Sequence, residues 1–515
     1  MSTSRLAQAE TAIDRSGIVA FVEQLITART RGLGRPREIP VRTLFVALVM
    51  LGLGGRFHLS RVVEYVNGLP DSTKRRLGPE RDGDITRRQV ENLYGLVCEV
   101  LEGPKTSATR WDLFDQACTM LVSATVHDDA LSARSIAVDG TSIDSWGTRR
   151  RRGSKMLGTE GGSTAQKEPD SAFKITDPDA AWRGKGIDKW KRPVFGYDLT
   201  AAVSVPEVDG GGVPLSAKSI RIRPTNFKTL ETALAVVGEV ARIQGSLGDV
   251  LADREYTKSI DGKDFLLPVR ALGGEPVFDL TKNQAGGRET RRGAKIIDGH
   301  PFSPSLPISL ESFIRPAVNV DKKLIGRYQD QMDDRAKYAL VAHGSRKVSG
   351  SQVYQCPASA GKLRCPLVAS SQLLALGTMP AFPATMDPLP RTVCTQKFTT
   401  FDAEDIALSQ RELYGTTEWY KSVNRRNRVE GFFGNLKDSA RENISRGTVR
   451  VRGLVKTGLM IAIAVMSVNI RLGEKWDEQK RRKPKPRMGR PRKVGVTKYA
   501  QVFLDLVANA PPLAS

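Results

Sequence analysis

Apolar residues recur at spacings of three and four through the first quarter of the chain, in 18–26, 41–53, 90–101 and 111–126. That period belongs to amphipathic helices with one buried stripe, so residues 1–128 read as a small all-α domain. Thr86, directly before RRQVENLYGLVCEVL, is placed to cap the third of these helices. The apolar runs 44–55 and 458–468 fall short of the roughly 20 residues that cross a bilayer and are closely flanked by Arg or Lys, which makes them buried helices.

From residue 134 the period changes. SIAVDGTSIDSW is a β-branched run closed by a turn, and a polar, Gly-rich stretch with four arginines at 149–152 follows as a loop to about 186. Residues 194–205 and 217–222 read as a hairpin around EVDGGGVPL, Asn226 as the cap of a helix over FKTLETALAVVGEVARIQG, and 249–252 as a strand leading into Asp253. Three strands, a helix and a further strand in that order match the start of a ribonuclease-H-like fold. The expected class is therefore α/β, a mixed sheet preceded by an all-α N-terminal domain. Residues 265–280 read as a short helix and strand, after which periodicity weakens. Residues 281–400 form a β-rich insertion, so the catalytic domain is split into 129–280 and a helical part over 401–472, with a basic tail at 473–515.

Charge narrows the partners. Lys plus Arg number 79 against 56 Asp plus Glu, a net +23 that attracts polyanions, nucleic acid first. Basic residues at 56, 61, 74–76, 87 and 88 collect between the N-terminal helices, and a DNA-contacting helix-turn-helix or an ordinary bundle with a solvated basic face fits them equally. The tail 480–493 has nine basic residues and no acid. Within it Gly489-Arg490-Pro491 resembles the core of an AT-hook, whose Arg enters a narrow minor groove, and GRPR at 34–37 is similar; a tail that only tracks phosphates is the alternative. Five cysteines are too few and uneven for a disulfide framework, which points to a reducing compartment, and MSTSRLAQAETAIDRSG lacks a secretory core. Cytoplasmic residence is expected.

The candidate chemistry rests on carboxylates. Asp139 follows the apolar run 136–138 and Asp253 follows 250–252, so adjacent parallel strands would bring both to one sheet edge. Two close carboxylates repel and need a cation, and hard oxygen donors favour Mg²⁺ or Mn²⁺. Glu430 lies in NRRNRVEGFFGNLK, where Arg426, Glu430 and Lys437 share one helical face. Asp144, Asp198, Glu255 and Asp279 read as turn or surface acids. Cys356, Cys365 and Cys394 with His343 could bind zinc, but no pair has the close spacing of structural zinc sites, and ordinary thiols are favoured. None of His58, His127, His300 and His343 has the context of a catalytic triad.

AVDGTSIDS, RPVFGYDLTAAVSV, DVLADREY and RRNRVEGFFGNLKDSARENISRG together resemble the DDE transposases of bacterial insertion sequences, over most of 134–472. The last block is the most specific, since it carries Arg-x3-Glu-x6-Lys. The resemblance implies a ribonuclease-H-like fold, catalytic metal ligands Asp139, Asp253 and Glu430, and two divalent ions. It implies phosphate contacts by Arg426 and Lys437, continued by Arg441, Arg446, Arg450 and Arg452, and double-stranded DNA partners in the form of terminal inverted repeats and target, held by a homodimer. The chain departs from the pattern in having Val423 where relatives carry Tyr, with Tyr420 nearest, and Glu255 where many have Gly. A metal-dependent nuclease of the same fold and a catalytically inactive DNA-binding relic are the competing readings.

Overall fold

The computed structural model describes residues 3–31, 37–77, 84–105, 107–147, 149–151, 173–183, 193–259, 261–313, 322–347, 349–444 and 447–482. The first part is helical: α1 (Thr3–Ser16), α2 (Ile18–Thr30), α3 (Val41–Leu53), α4 (Val62–Asn67), α5 (Asp71–Leu77), α6 (Arg87–Glu102), α7 (Asp112–Ser123) and α8 (Asp128–Ser132). Thr86 caps α6 in a reciprocal box with Gln89, each serving the other's backbone N–H.

Strands β1 (Ile136–Asp144), β2 (Arg149–Arg151), β3 (Phe173–Ile175), β4 (Ala181–Arg183), β5 (Val194–Ser204) and β6 (Ala217–Pro224) come next, so the stretch expected to be a loop over 147–186 contains three short strands. Helix α9 (Thr229–Gln244), β7 (Asp249–Ala252), α10 (Leu266–Ala271) and β8 (Glu275–Phe278) complete a six-stranded sheet. Its path runs β6-β5-β1-β7-β8, with β4 on the end of β5 beside β6. β5 is antiparallel to β1 and β6, while β1, β7 and β8 are mutually parallel. The chain is thus a mixed α/β protein. Asn226 does not cap α9: it sits at φ +62° and gives its side-chain amide to the Trp182 carbonyl, and the helix starts three residues later behind Lys228.

Alternation sorts the sheet into two cores. Ile136, Val138, Ala202, Val250 and Ala252 face α9 and α10. Ala137, Ile143, Leu199, Ala201, Val203 and Leu251 face the other way, into one large core shared with the N-terminal helices, α13 (Asn427–Leu436) and α14 (Leu454–Arg481). α14 packs against α3, α6, α7 and β6, and runs nine residues into the segment expected as tail. Among the described residues it is the one helix long and apolar enough to cross a membrane, but 83% of its apolar window is buried inside the protein. A helix apolar on every side is a core helix here. Asp179 accepts the Leu454 N–H at its N-terminus, and Asn469 exchanges two 2.9 Å hydrogen bonds with the backbone of Ala217 on β6.

The insertion carries β9 (Gly287–Arg291), β10 (Ala294–Ile297) and β11 (His300–Phe302) in one three-stranded antiparallel sheet, then α11 (Lys322–Lys337). A second such sheet is built of β12 (Val341–His343), β13 (Gln352–Gln355) and β14 (Phe398–Phe401). Between β13 and β14 the chain runs as turns with one 3-10 segment, Ala369–Leu373. α12 (Thr417–Val423) then leads to the turn before α13.

Candidate active site

Parallel pairing places the two aspartates. Val138 is the register partner of Ala252, so Asp139 and Asp253 are the next residues on neighbouring strands. Each follows by two a residue of the large core, Ala137 or Leu251, so parity puts both on the face that α13 covers. β1 does not end at Asp139 as the apolar run suggests; it continues to Asp144 against β5, and only the pairing with β7 stops. Asp139 therefore projects from a strand fixed on one side and open on the other. Both aspartates turn one oxygen back onto the next backbone N–H, at 2.7 Å from Gly140 N and from Arg254 N.

α13 supplies the third acid. Arg426, 8% exposed, bridges two carboxylates: one guanidinium nitrogen lies 3.2 Å from Asp139 Oδ2 and the other 2.9 Å from Glu430 Oε1. Arg426, expected from the resemblance to contact phosphate, here has its fork on the two carboxylates. Burial pushes the Asp139 carboxyl up to about 6; Arg426 and the Gly140 N–H oppose the rise, and the charges of Asp253 and Glu430 add to it. Glu430 is half exposed and faces solvent beside this buried pair.

The rest of the RRNR run is scaffolding that the sequence reading passed over. Arg425 reaches Asp249 Oδ2 at 2.5 Å and the Pro206 carbonyl at 3.0 Å, pinning the turn before α13 to the first residue of β7. Arg428 donates to the carbonyls of Ser204 and Val213. The signal was the Arg doublet beside a buried Asp at a strand start, which sequence alone does not pair.

Lys437, at the C-terminal end of α13, donates to Thr141 Oγ1 at 2.5 Å and to the Ser142 carbonyl at 3.1 Å. Thr141 is two residues past Asp139 on β1, so Arg426 and Lys437 both reach this strand, while Glu430 lies between them on α13 paired with Arg426. Arg441 and Arg450 are exposed beyond it, Arg450 lying 5.5 Å over the exposed Trp146 ring, and Arg452 is exposed too. Glu442 is buried and bound to Arg471, which fastens this segment to α14. The corner after α3 abuts the segment: His58 Nδ1 lies 3.0 Å from the Thr448 carbonyl, and a side chain at Gly55 would meet the Ala440 carbonyl at 3.0 Å. Exposed Arg56 and partly exposed Arg61 therefore join the same surface. Arg446 and Arg490 lie outside the described residues, as do Gly34 and the tail from 483.

Three of the other four acids have structural partners. Asp198 receives Ser142, Arg183 and the Asn226 N–H; Glu255 faces Arg183 at 3.3 Å; Asp279 accepts from Tyr414 at 2.7 Å; Asp144 is exposed. The Glu255 departure thus brings its own cation. Tyr256 is buried, and Gly140 leaves room for its hydroxyl, which would lie 3.2 Å from a Cβ there. Tyr420 is buried against Trp419, away from solvent.

Among the described residues no three His, Cys, Asp or Glu side chains stand close enough together to hold a metal ion as they are. In the Asp139 cluster the Arg426 guanidinium occupies the space between carboxylates. Cys356, Cys365 and Cys394 line one small cavity of about 20 Å³ in the insertion, while His343 stacks instead on Phe398 at 4.5 Å. All five cysteines are free, and burial pushes the Cys394 thiol up to about 11. The chain matches no protein-family model and no curated protein.

Proposed function

We propose that the chain is a DDE transposase that cuts the ends of its own insertion sequence and joins them to target DNA. The observation that carries this reading is that Asp139 and Asp253 follow register partners on paired parallel strands, while Glu430 on the covering helix is tied to Asp139 through Arg426. The sheet supports a ribonuclease-H-like core: numbered along the chain without β4, its strands run third, second, first, fourth, fifth, with the second alone antiparallel to both neighbours.

Divalent Mg²⁺ or Mn²⁺ fits these residues. The donors are all carboxylate oxygens, the hard ligands these ions take, and among the described residues Arg426 is the one cation paired with Asp139 and Glu430. Asp139 with Asp253 would hold one ion and Asp139 with Glu430 a second; bound there, such ions stabilise charge on phosphoryl oxygens and lower the pKa of an attacking water or 3′-hydroxyl. The protein's own part is positioning. β1 and β7 fix the two aspartates, Arg425 and Arg428 hold α13 on the sheet, and Arg426 orients Asp139 and Glu430 relative to each other. Lys437 takes a phosphate beside the scissile one, and Arg441, Arg450, Arg56 and Arg61 extend a cationic track for the duplex. A homodimer bringing two DNA ends together in the cytoplasm completes the reading.

The test is cleavage and strand transfer by the full chain on DNA carrying the inverted repeats that flank its gene, with Mg²⁺. Cut ends joined to a second duplex are expected, and Asp139→Asn, Asp253→Asn and Glu430→Gln should each abolish cleavage while DNA binding stays within a few-fold. Cutting without joining would favour the nuclease reading, and near-normal cleavage by any amide variant would remove that residue from the site.

A further inference from the structure

Residues 366–390 of the insertion hold a single charged residue, Asp387, in a chain that is 26% charged. Along this stretch Leu373, Leu376, Phe382, Met386 and Leu389 keep 90%, 88%, 78%, 64% and 77% of their surface exposed. Outside it, Ile308 is the one large apolar residue more than half exposed among the described residues. The stretch is nonetheless anchored. The Arg364 N–H donates to the Met379 carbonyl and the Ala381 N–H to the Arg364 carbonyl, Tyr338 donates to the Pro380 carbonyl, and Ala381 is buried in a small core with Leu363 and Phe302. It is a strap held from beneath with its apolar side chains turned outward. An open groove of about 660 Å³ runs between it and α11, with Leu376, Met379 and Pro380 of the strap on its walls together with Asp333, Lys337 and Lys362.

Five large apolar side chains left this exposed within one short segment mark a binding face. DNA does not suit it, since the strap carries no Lys or Arg. We propose that the strap is the contact between two copies of this chain, meeting about a twofold axis with Leu376 and Phe382 at its centre. Charge favours that occupant: two chains of +23 repel wherever their basic surfaces meet, and the strap, whose one charge is Asp387, lets them approach at least electrostatic cost. Size favours it as well, because five such side chains offer on the order of 700–800 Å², the share each partner gives to a standard interface. A twofold contact is self-complementary, so the strap of one copy would lie against the strap of the other. The inference deepens the proposed function, which needs two copies to hold two ends, but it is tested without DNA or catalysis, so either can fail alone.

Sedimentation equilibrium of the full chain, free of DNA and in high salt, should show a dimer at micromolar concentration. Leu376→Glu with Phe382→Glu should raise the dimer dissociation constant at least about 100-fold, with the thermal melt of the monomer and its binding to duplex DNA unchanged. Ile308→Glu, equally exposed but off the strap, should leave the dimer intact. A wild-type chain that stays monomeric would assign the strap to a different protein and overturn the proposal. A dimer indifferent to the double substitution would overturn it as well.

Discussion

Lys218 lies on β6, 3% exposed, and donates to the Ala133 carbonyl; burial, against the opposing charge of Glu207, pulls its pKa down to about 7 from 10.5. Between those values the unfolded chain holds a proton that the folded chain does not, so this group makes stability rise with pH from about 7 to 10.5. Its full cost is present below 7. Lys218→Met is therefore expected to stabilise the fold at neutral pH by a margin that shrinks as pH approaches 10. Urea midpoints of both proteins across that range check it, and a constant margin would mean that titration is not the cause. At the candidate active site, Lys437→Ala should lower cleavage of cognate ends about tenfold or more, ~1.4 kcal/mol at the barrier, with binding to unrelated duplex nearly unchanged. Equal small losses in both assays would make Lys437 part of the general positive field.

At the scale of elements, the two apolar helices meet through glycine. A Cβ at Gly458 of α14 would come within 2.3 Å of the buried Phe114 ring on α7, and one at Gly52 of α3 within 2.2 Å of Ser467 Oγ on α14. Gly458→Ala gains about 1 kcal/mol of helix propensity but forces an overpacked contact that costs about 1–3 kcal/mol. A net loss is expected in denaturant melts, and adding Phe114→Leu should recover much of it. Elements were legible where periodicity is local: Thr86 and α6, the runs that became α3 and α14, the hairpin of β5 and β6. Asp139 and Asp253 could be singled out because each follows a short apolar run, and Glu430 because Arg426 and Lys437 flank it at the spacing that carries the resemblance. What periodicity does not carry is partnership. Nothing local shows that β1 continues past Asp139 once β7 has left it, that Arg425 belongs to Asp249, or that Arg426 turns inward to two carboxylates. Those are long-range pairings, and they hold all three arginines of the RRNR run inside the protein.

For the whole molecule, charge is distributed unevenly. Arg42, Arg76, Arg87 and Arg110 are matched by nearby acids in the helical layer. The corner at 54–61 and the segment after α13 present cations together, and the tail adds six more basic residues over 483–493. Deleting residues 483–515 should weaken duplex binding and flatten its salt dependence, since each phosphate contact contributes about −0.9 to the slope of log K against log salt. Binding measured at several salt concentrations tests this, and an unchanged slope would take the tail off the DNA.

The union of α14 with the N-terminal helices also sets when the protein can exist. Eleven of the thirteen residues of α3 are buried, and α14, from the far end of the chain, is among the helices that cover it. Tyr94 of α6 gives its hydroxyl to the Lys456 carbonyl on the same late helix. During translation, at ~5–20 residues per second, the first helices wait about 20–70 s for that cover. A chain released early keeps its first apolar layer open to proteases and to aggregation, so a ribosome that stops short yields no smaller version of the protein.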